Sequence, residues 1–240
     1  MPIMFVVAGP SGSGKTSAFP GSQFGCDFFN ADDYAAQLNG GSYVGIPKSI
    51  RAIVGPICEK FIQDHIAVGK DLATETTLRS TIAFDQMRQA HSAGFEVRFN
   101  YVCVDRLDKS IDRVANRADL GGHSGSEDTV RDIRTKSLGN LLRVLDELGK
   151  TIDLLDVYDN SAHKTTPKLI ASFLGRNIIF LESELPAWMD EALGQTPYST
   201  VKLREFFKQG KPLPVAVDRD PRSSAAAEDL GCPAINVIAK

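Results

Sequence analysis

A glycine-rich stretch around residue 10 has the residue types and the spacing of a phosphate-binding loop. The pattern G-x-x-x-x-G-K-[ST] is met by Gly9, Gly14, Lys15 and Thr16, directly after an apolar run that is typical of a strand. In such a loop the backbone N–H groups converge on the β-phosphate, the lysine reaches the β- and γ-phosphates, and the hydroxyl coordinates magnesium. We therefore predict an ATP and magnesium site. Its residues are Gly9, Ser11, Gly12, Ser13, Gly14, Lys15, Thr16 and Ser17.

Two adjacent carboxylates, Asp32 and Asp33, follow a second short apolar run at residues 26–29. Phosphoryl transfer needs little from a protein beyond positioning, cations facing the migrating group and a base for the acceptor hydroxyl. An aspartate at the end of a strand can bind a substrate hydroxyl and take its proton. Capping of the next helix, which we predict over residues 34–38, is the alternative role. We expect this pair to contact the acceptor.

A third polar cluster, Glu75-Thr76-Thr77-Leu78-Arg79, ends a strand predicted over residues 71–77. It brings a carboxylate, hydroxyls and a guanidinium to the carboxyl edge of the sheet, where open α/β folds bind ligands. Substrate hydroxyls or magnesium-bound water are candidate partners of Glu75. The alternative is a surface ion pair between Glu75 and Arg79. We predict Glu75, Thr77 and Arg79 as substrate contacts, with Glu75 also near the metal.

The segment 106–134 carries arginines at helical spacing. Separations of seven and four place Arg106, Arg113 and Arg117 on one helix face, and Arg131 and Arg134 follow at a separation of three. With Gly121 and Gly122 as a hinge, such an element suits a lid that closes on ATP and stabilises transition-state charge. An i,i+4 lattice of salt bridges on a solvated helix is the alternative for each arginine. Asp105 could be a magnesium-binding aspartate or a helix cap.

The elements that position these groups alternate along the chain. We predict strands at residues 3–8, 26–29, 71–77, 95–104, 152–158 and 178–181, with long helices at 47–68 and 126–148. Strands that alternate with helices predict a mostly parallel sheet covered on both faces. The predicted fold is a three-layer α/β P-loop NTPase of the kinase-like type. Its core is residues 1–182, with the lid at about 106–134 and a partly flexible C-terminal appendage at 183–240.

The composition of the chain argues against some classes of binding partner and against some locations. Lys and Arg total 27 against 30 Asp and Glu, a formal net charge of -3, which argues against nucleic acid. No stretch approaches the roughly 20 apolar residues that a membrane span needs. The four cysteines stand far apart without a C-x-x-C pair, which favours reduced thiols and a cytoplasmic location.

In their order and spacing these residues resemble the zeta-toxin-like P-loop kinases, whose toxin members phosphorylate the sugar of UDP-N-acetylglucosamine. The resemblance covers most of the chain. Its motifs are Gly9 to Thr16, Asn30-Ala-Asp32, Glu75-Thr-Thr-Leu-Arg79, Arg113-Val-Ala-Asn-Arg117, Gly121-Gly-His123, Ser137-Leu-Gly-Asn-Leu141 and Val157-Tyr-Asp-Asn-Ser161.

The resemblance implies roles for the residues of several of these motifs. Asp32 would be the base for the acceptor hydroxyl, while Lys15 and Thr16 would bind ATP and magnesium. Substrate or metal contacts would be Glu75, Thr77 and Arg79. The phosphates would be held by Arg113 or Arg117 with Arg131 or Arg134, and the alignment leaves the choice within each pair open.

The sequence thus predicts an ATP-dependent kinase that transfers the γ-phosphoryl group to a hydroxyl of a small molecule, with UDP-N-acetylglucosamine as a candidate acceptor. The resemblance adds an antitoxin protein as a candidate partner. A kinase of another small metabolite and a non-catalytic ATP-dependent switch or partner-binding protein are the alternatives. A kinase should lose turnover in Asp32→Asn while it keeps its ATP affinity, whereas a switch should change little.

Overall fold

Seven strands in the described part of the chain form one sheet with the order β2-β3-β1-β4-β5-β6-β7. The structure is a computed structural model that describes residues 1–119, 125–162 and 166–215, apart from the side chains of Arg117 and Asp119. The strands are β1 (Ile3–Ala8), β2 (Asp27–Asn30), β3 (Leu72–Thr76), β4 (Glu96–Cys103), β5 (Leu154–Asp159), β6 (Lys168–Leu174) and β7 (Asn177–Leu181). Strands β1 to β5 pair in parallel, so their carboxyl ends meet at one edge.

Eight α-helices lie in the same ranges. They are α1 (Lys15–Ala18), α2 (Ala31–Leu38), α3 (Lys48–Val68), α4 (Ile82–Ser92), α5 (Leu107–Asp119), α6 (Glu127–Asp146), α7 (Ala187–Leu193) and α8 (Thr200–Gln209). The main core joins one sheet face to α3, α4, α6, α7 and α8. A smaller cluster of Val7, Phe19 and Val102 lies apart from it. None of the described helices is both long enough and apolar enough to cross a membrane.

One strand, β6, is not among the predicted strands. It pairs antiparallel with β5 and β7, and the turn to β7 passes through Gly175 with a φ of 51°. Four consecutive residues from Ile170 to Phe173 are buried, so the strand shows no alternation of apolar and polar residues. A short buried run of this kind, in which Ser172 is the one polar residue, cannot be assigned to a strand or a helix by periodicity.

The described part of the predicted appendage packs on the core. Trp188, Leu193 and Leu203 of α7 and α8 are fully buried, and they belong to the main apolar cluster together with Tyr198 and Leu213. Up to residue 215 the chain beyond the predicted boundary at 182 therefore contributes to the same core. The remainder of the predicted appendage, residues 216–240, and the predicted hinge at Gly121 and Gly122 lie outside the described residues.

Candidate functional site

The predicted phosphate loop joins the end of β1 to α1, and three positions in it accept only glycine. Gly9, Gly12 and Gly14 have φ values of 141°, 76° and 87°. A Cβ atom would lie 2.0 Å from the Val102 carbonyl oxygen at Gly9, 2.4 Å from the Ser110 oxygen at Gly12 and 2.3 Å from the Asn160 amide nitrogen at Gly14. The loop is therefore enclosed by β4, α5 and the residue that follows β5. The helix after it has four residues and ends before Pro20.

Lys15, Thr16 and Glu75 meet at one point. The ammonium group of Lys15 donates to the carbonyls of Gly9 (2.9 Å) and Pro10 (3.2 Å) and lies 3.7 Å from Glu75 Oε1. The Thr16 hydroxyl donates to Glu75 Oε2 at 2.9 Å. Glu75 is thus paired with the phosphate loop, and the alternative of a surface pair with Arg79 is not what the structure shows. The predicted Ser17 is exposed on α1.

A cleft of about 750 Å³ opens beside the loop at the carboxyl edge of the sheet. Its walls come from the start of α2, the middle of α3, the end of β3 and the starts of α4 and α6. The polar and charged side chains that line it include Ser11, Asn30, Asp32, Arg51, Glu59, Glu75, Thr77 and Arg79. The structure therefore brings the predicted acceptor residues Asp32, Thr77 and Arg79 together with Ser11 of the loop.

The two adjacent aspartates have different surroundings. Helix α2 begins at Ala31, earlier than predicted, because the side-chain oxygen of Asn30 accepts hydrogen bonds from the backbone N–H groups of Asp32 (2.9 Å) and Asp33 (3.3 Å). Asn30 is the cap, so neither carboxylate has that role. Asp32 lines the cleft. Asp33 lies outside its lining and accepts a hydrogen bond of 2.7 Å from the Tyr43 hydroxyl.

The turn after β3 is held in a left-handed conformation. Leu78 has a φ of 55°, which costs a non-glycine residue roughly 1 to 2 kcal/mol. Its side chain is fully buried, its N–H bonds to the Thr76 hydroxyl (3.1 Å), and its carbonyl accepts from the Asn140 amide (2.9 Å). The buried side chain and these bonds fix the turn between Thr77 and Arg79, both of which line the cleft.

One predicted lid arginine lies against the phosphate loop. Arg113, on α5, donates to the carbonyl of Asn160 at 3.0 Å and reaches the carbonyl of Gly12 at 3.5 Å. Arg106, which precedes the helix, pairs with Asp108 on the surface. The side chain of Arg117 lies outside the described residues.

The two predicted arginines of α6 are engaged elsewhere. Arg131 is exposed and pairs with Glu127 at i,i+4, the alternative arrangement considered for each arginine. Arg134 is 4% exposed and donates to the carbonyls of Val104 (2.9 Å) and Asp105 (3.3 Å) and to Glu191 on α7 (2.9 Å). These bonds join β4 and α6 to the C-terminal helices. The carboxylate of Asp105 pairs with Lys109 of α5 (3.0 Å).

Three residues of this region were not predicted as site residues from the sequence, although Asn160 belongs to one of the motifs that carry the family resemblance. Arg51 and Cys58 line the cleft from α3, and Asn160 contacts the phosphate loop from the end of β5. Burial raises the pKa of the Cys58 thiol to about 11. The rule that parallel strands end at one edge could have identified Asn160. Nothing in the sequence of α3 indicates which of its faces meets the cleft.

The fold is similar to that of known structures, whereas no protein-family model and no curated protein matches the chain. A chain in the crystal structure of AvrRxo1-ORF1:-ORF2 with ATP matches with a TM-score of 0.59 and 14% identity, over 89% of this chain and 77% of that one. The same complex with sulphate ions gives 0.60 and 14%, over 96% and 81%. The PezAT chromosomal toxin-antitoxin system of Streptococcus pneumoniae gives 0.52 and 15%, over 88% and 84%. Similarity at this level of identity shows the fold, and it confirms the predicted α/β P-loop kinase-like class.

Proposed function

We propose that this protein is an ATP-dependent kinase that transfers the γ-phosphoryl group to a hydroxyl of a small molecule bound in the cleft. The observation that carries the proposal is that one cleft is lined by Ser11 of the phosphate loop, by Glu75 and by the carboxylate of Asp32. A donor phosphate on the loop and an acceptor hydroxyl at Asp32 would then share one space. Positioning of this kind accounts for most of the catalysis in phosphoryl transfer.

The loop residues fit a nucleotide and magnesium. The three glycines let the backbone turn close to a ligand, and the buried Ser13 hydroxyl has no hydrogen-bond partner among the described residues. Thr16 and Glu75 offer two oxygen ligands, and magnesium in such sites is bound by one or two carboxylates together with substrate phosphates. Magnesium would supply charge neutralisation on the β- and γ-phosphates. Lys15 would bind the same oxygens.

In the proposed reaction Asp32 accepts the proton of the acceptor hydroxyl as its oxygen bonds to the γ-phosphorus. The bond from that phosphorus to the β–γ bridging oxygen breaks, and ADP leaves. Arg113, which lies beside the loop at Gly12, would stabilise charge on the migrating group. Arg131 and Arg134 have other partners, so we assign neither of them this role.

Two arginines of the cleft can bind an anionic group of the acceptor, although the carboxylates of Asp32, Glu59 and Glu75 line the same cleft. Arg51 lines it from α3 and Arg79 from the turn after β3, and neither forms an ion pair with another described residue. Thr77 lies next to Arg79 and can donate to a substrate oxygen. UDP-N-acetylglucosamine, which combines a diphosphate with a sugar hydroxyl, is one acceptor of this class. We also propose an antitoxin protein as a partner. Its only support is that the fold is similar to that of the PezAT toxin-antitoxin structure.

The test is transfer of label from γ-labelled ATP with magnesium to a panel of hydroxyl compounds, half of them anionic and half their neutral analogues. UDP-N-acetylglucosamine belongs in the anionic half. We expect one or more anionic compounds to gain a phosphate, detected by mass spectrometry, and Asp32→Asn to abolish the product. ATP binding without any labelled product over the whole panel would favour the switch and contradict the kinase.

A further inference from the structure

Asn160, directly after β5, forms a hydrogen bond to the phosphate loop through its side chain. Its side-chain amide donates to the carbonyl of Ser13 at 2.8 Å. Its own backbone is fixed, because its N–H donates to Cys103 at the end of β4 (2.8 Å) and its carbonyl accepts from Arg113 (3.0 Å). One residue thus joins the loop, the ends of two strands and the arginine of α5.

The bond to Ser13 sets the direction of a group in the loop. The Ser13 carbonyl and the Gly14 N–H belong to one trans peptide, so they point in opposite directions. When Asn160 holds the carbonyl, the N–H of Gly14 is turned away from Asn160. Gly14 also has to be glycine at this point, since a Cβ there would lie 2.3 Å from the Asn160 amide nitrogen.

The C-terminal helix α7 supports Asn160 through its neighbours. The indole N–H of Trp188 donates to Asp159 at 2.9 Å, and Trp188 is fully buried. The Ser161 hydroxyl donates to the same carboxylate and accepts from the backbone N–H of Asp105 (2.8 Å). The residues on both sides of Asn160 are therefore held by bonds to other elements.

We propose that Asn160 is a positioning residue of the nucleotide site, which turns the Gly14 N–H toward the β-phosphate, and that α7 holds it in place. This inference rests on the proposed function, since it assumes that the loop binds a nucleoside di- or triphosphate. Asn160 acts through the loop and touches no reacting atom. Its removal therefore affects affinity for the β-phosphate in particular and leaves recognition of the rest of the nucleotide intact.

The test compares the affinities of ADP and AMP for Asn160→Ala and the unmodified protein by calorimetry. Because one hydrogen bond to the loop is lost, we expect the ratio of ADP affinity to AMP affinity to fall roughly three- to tenfold. Asn39→Ala is the matched control, since the Asn39 amide also donates to backbone carbonyls, those of Ser42 and Val44, in the loop after α2. In that variant the ratio should not change.

A ratio that stays within twofold in a folded Asn160→Ala variant overturns the inference while the proposed function stands. If the unmodified protein binds neither nucleotide, the proposed function fails and the inference with it. If Asn160→Ala does not fold, Asn160→Ser is measured instead, because serine keeps a polar side chain that is too short to reach Ser13. The ratio of ADP affinity to AMP affinity in that variant then tests the inference. Trp188→Phe, which removes the indole N–H together with part of the buried ring, should shift the ratio in the same direction by less.

Discussion

The hydroxyl of Thr16 donates a hydrogen bond of 2.9 Å to the carboxylate of Glu75, 59 residues further along the chain. Glu75 lies near the carboxyl end of β3, opposite Val7 of the adjacent strand β1, and Thr16 is the second residue of the helix that follows the loop after β1. The pairing of two adjacent parallel strands thus sets the distance between a hydroxyl and a carboxylate that both suit magnesium.

Removal of the Glu75 charge should weaken the dependence on magnesium. In Glu75→Gln the shape is kept and one anionic ligand oxygen is lost, so we expect the magnesium concentration for half-maximal ATP turnover to rise roughly 10- to 100-fold. A magnesium titration of turnover measures it. Glu59→Gln is the control, because Glu59 lines the same cleft but accepts from Gln63 and Gln86. Equal effects of the two substitutions would contradict the assignment of Glu75.

Substitutions of the arginines in the predicted lid should differ in their effect on turnover, because the arginines have different contacts. Arg113→Ala should lower turnover on the order of 100-fold, because it removes a cation beside the phosphate loop. Arg131→Ala should change turnover less than twofold, because an exposed i,i+4 pair contributes only about 0.3 to 0.5 kcal/mol. Steady-state kinetics of both variants measures the two losses of turnover. A larger loss in Arg131→Ala than in Arg113→Ala would place the phosphate contact on α6.

Arg134 should matter for stability. Its guanidinium is buried and bonds two carbonyls of the segment after β4 and Glu191, so Arg134→Ala leaves those carbonyls without their partner. We expect the free energy of unfolding, from urea denaturation, to fall by about 2 to 4 kcal/mol. ATP affinity in the folded fraction should change little. A stable Arg134→Ala variant that has lost turnover would assign Arg134 a catalytic role instead.

Local patterns predicted the phosphate-loop motif, the five parallel strands and the position of Glu75, Thr77 and Arg79 at the carboxyl edge of the sheet. Each depends on residues that are close in sequence or on the common edge of a parallel sheet. The partners of Arg134 could not be predicted, because its spacing from Arg131 places both arginines on one helix face. Only the packing of α7 brings Glu191 to Arg134, whereas Arg131 forms the i,i+4 pair that its sequence allows. The strand β6 was not predicted because both of its faces are buried, so its sequence shows no alternation of apolar and polar residues.

The thiol of Cys58 should react slowly although it lines the cleft. Its pKa is raised to about 11, mainly by burial and to a smaller extent by the nearby carboxylate of Glu59. The reactive thiolate is therefore scarce at pH 8 and becomes the main form only above about pH 11. Alkylation by iodoacetamide, followed by peptide mass mapping, should show the rate at Cys58 still rising from pH 8 to pH 10. A rate that levels off below pH 9 would contradict the raised pKa.

The measurement that tests the central claim most directly is the turnover and the ATP affinity of Asp32→Asn, compared with the unmodified protein at saturating acceptor. General base catalysis contributes typically 10²- to 10⁴-fold, so turnover should fall by about that factor. ATP affinity should stay within twofold, since Asp32 lies on α2 and the nucleotide residues lie on the phosphate loop. Unchanged turnover in a variant that binds ATP normally would contradict the claim that this cleft is the acceptor site of a kinase.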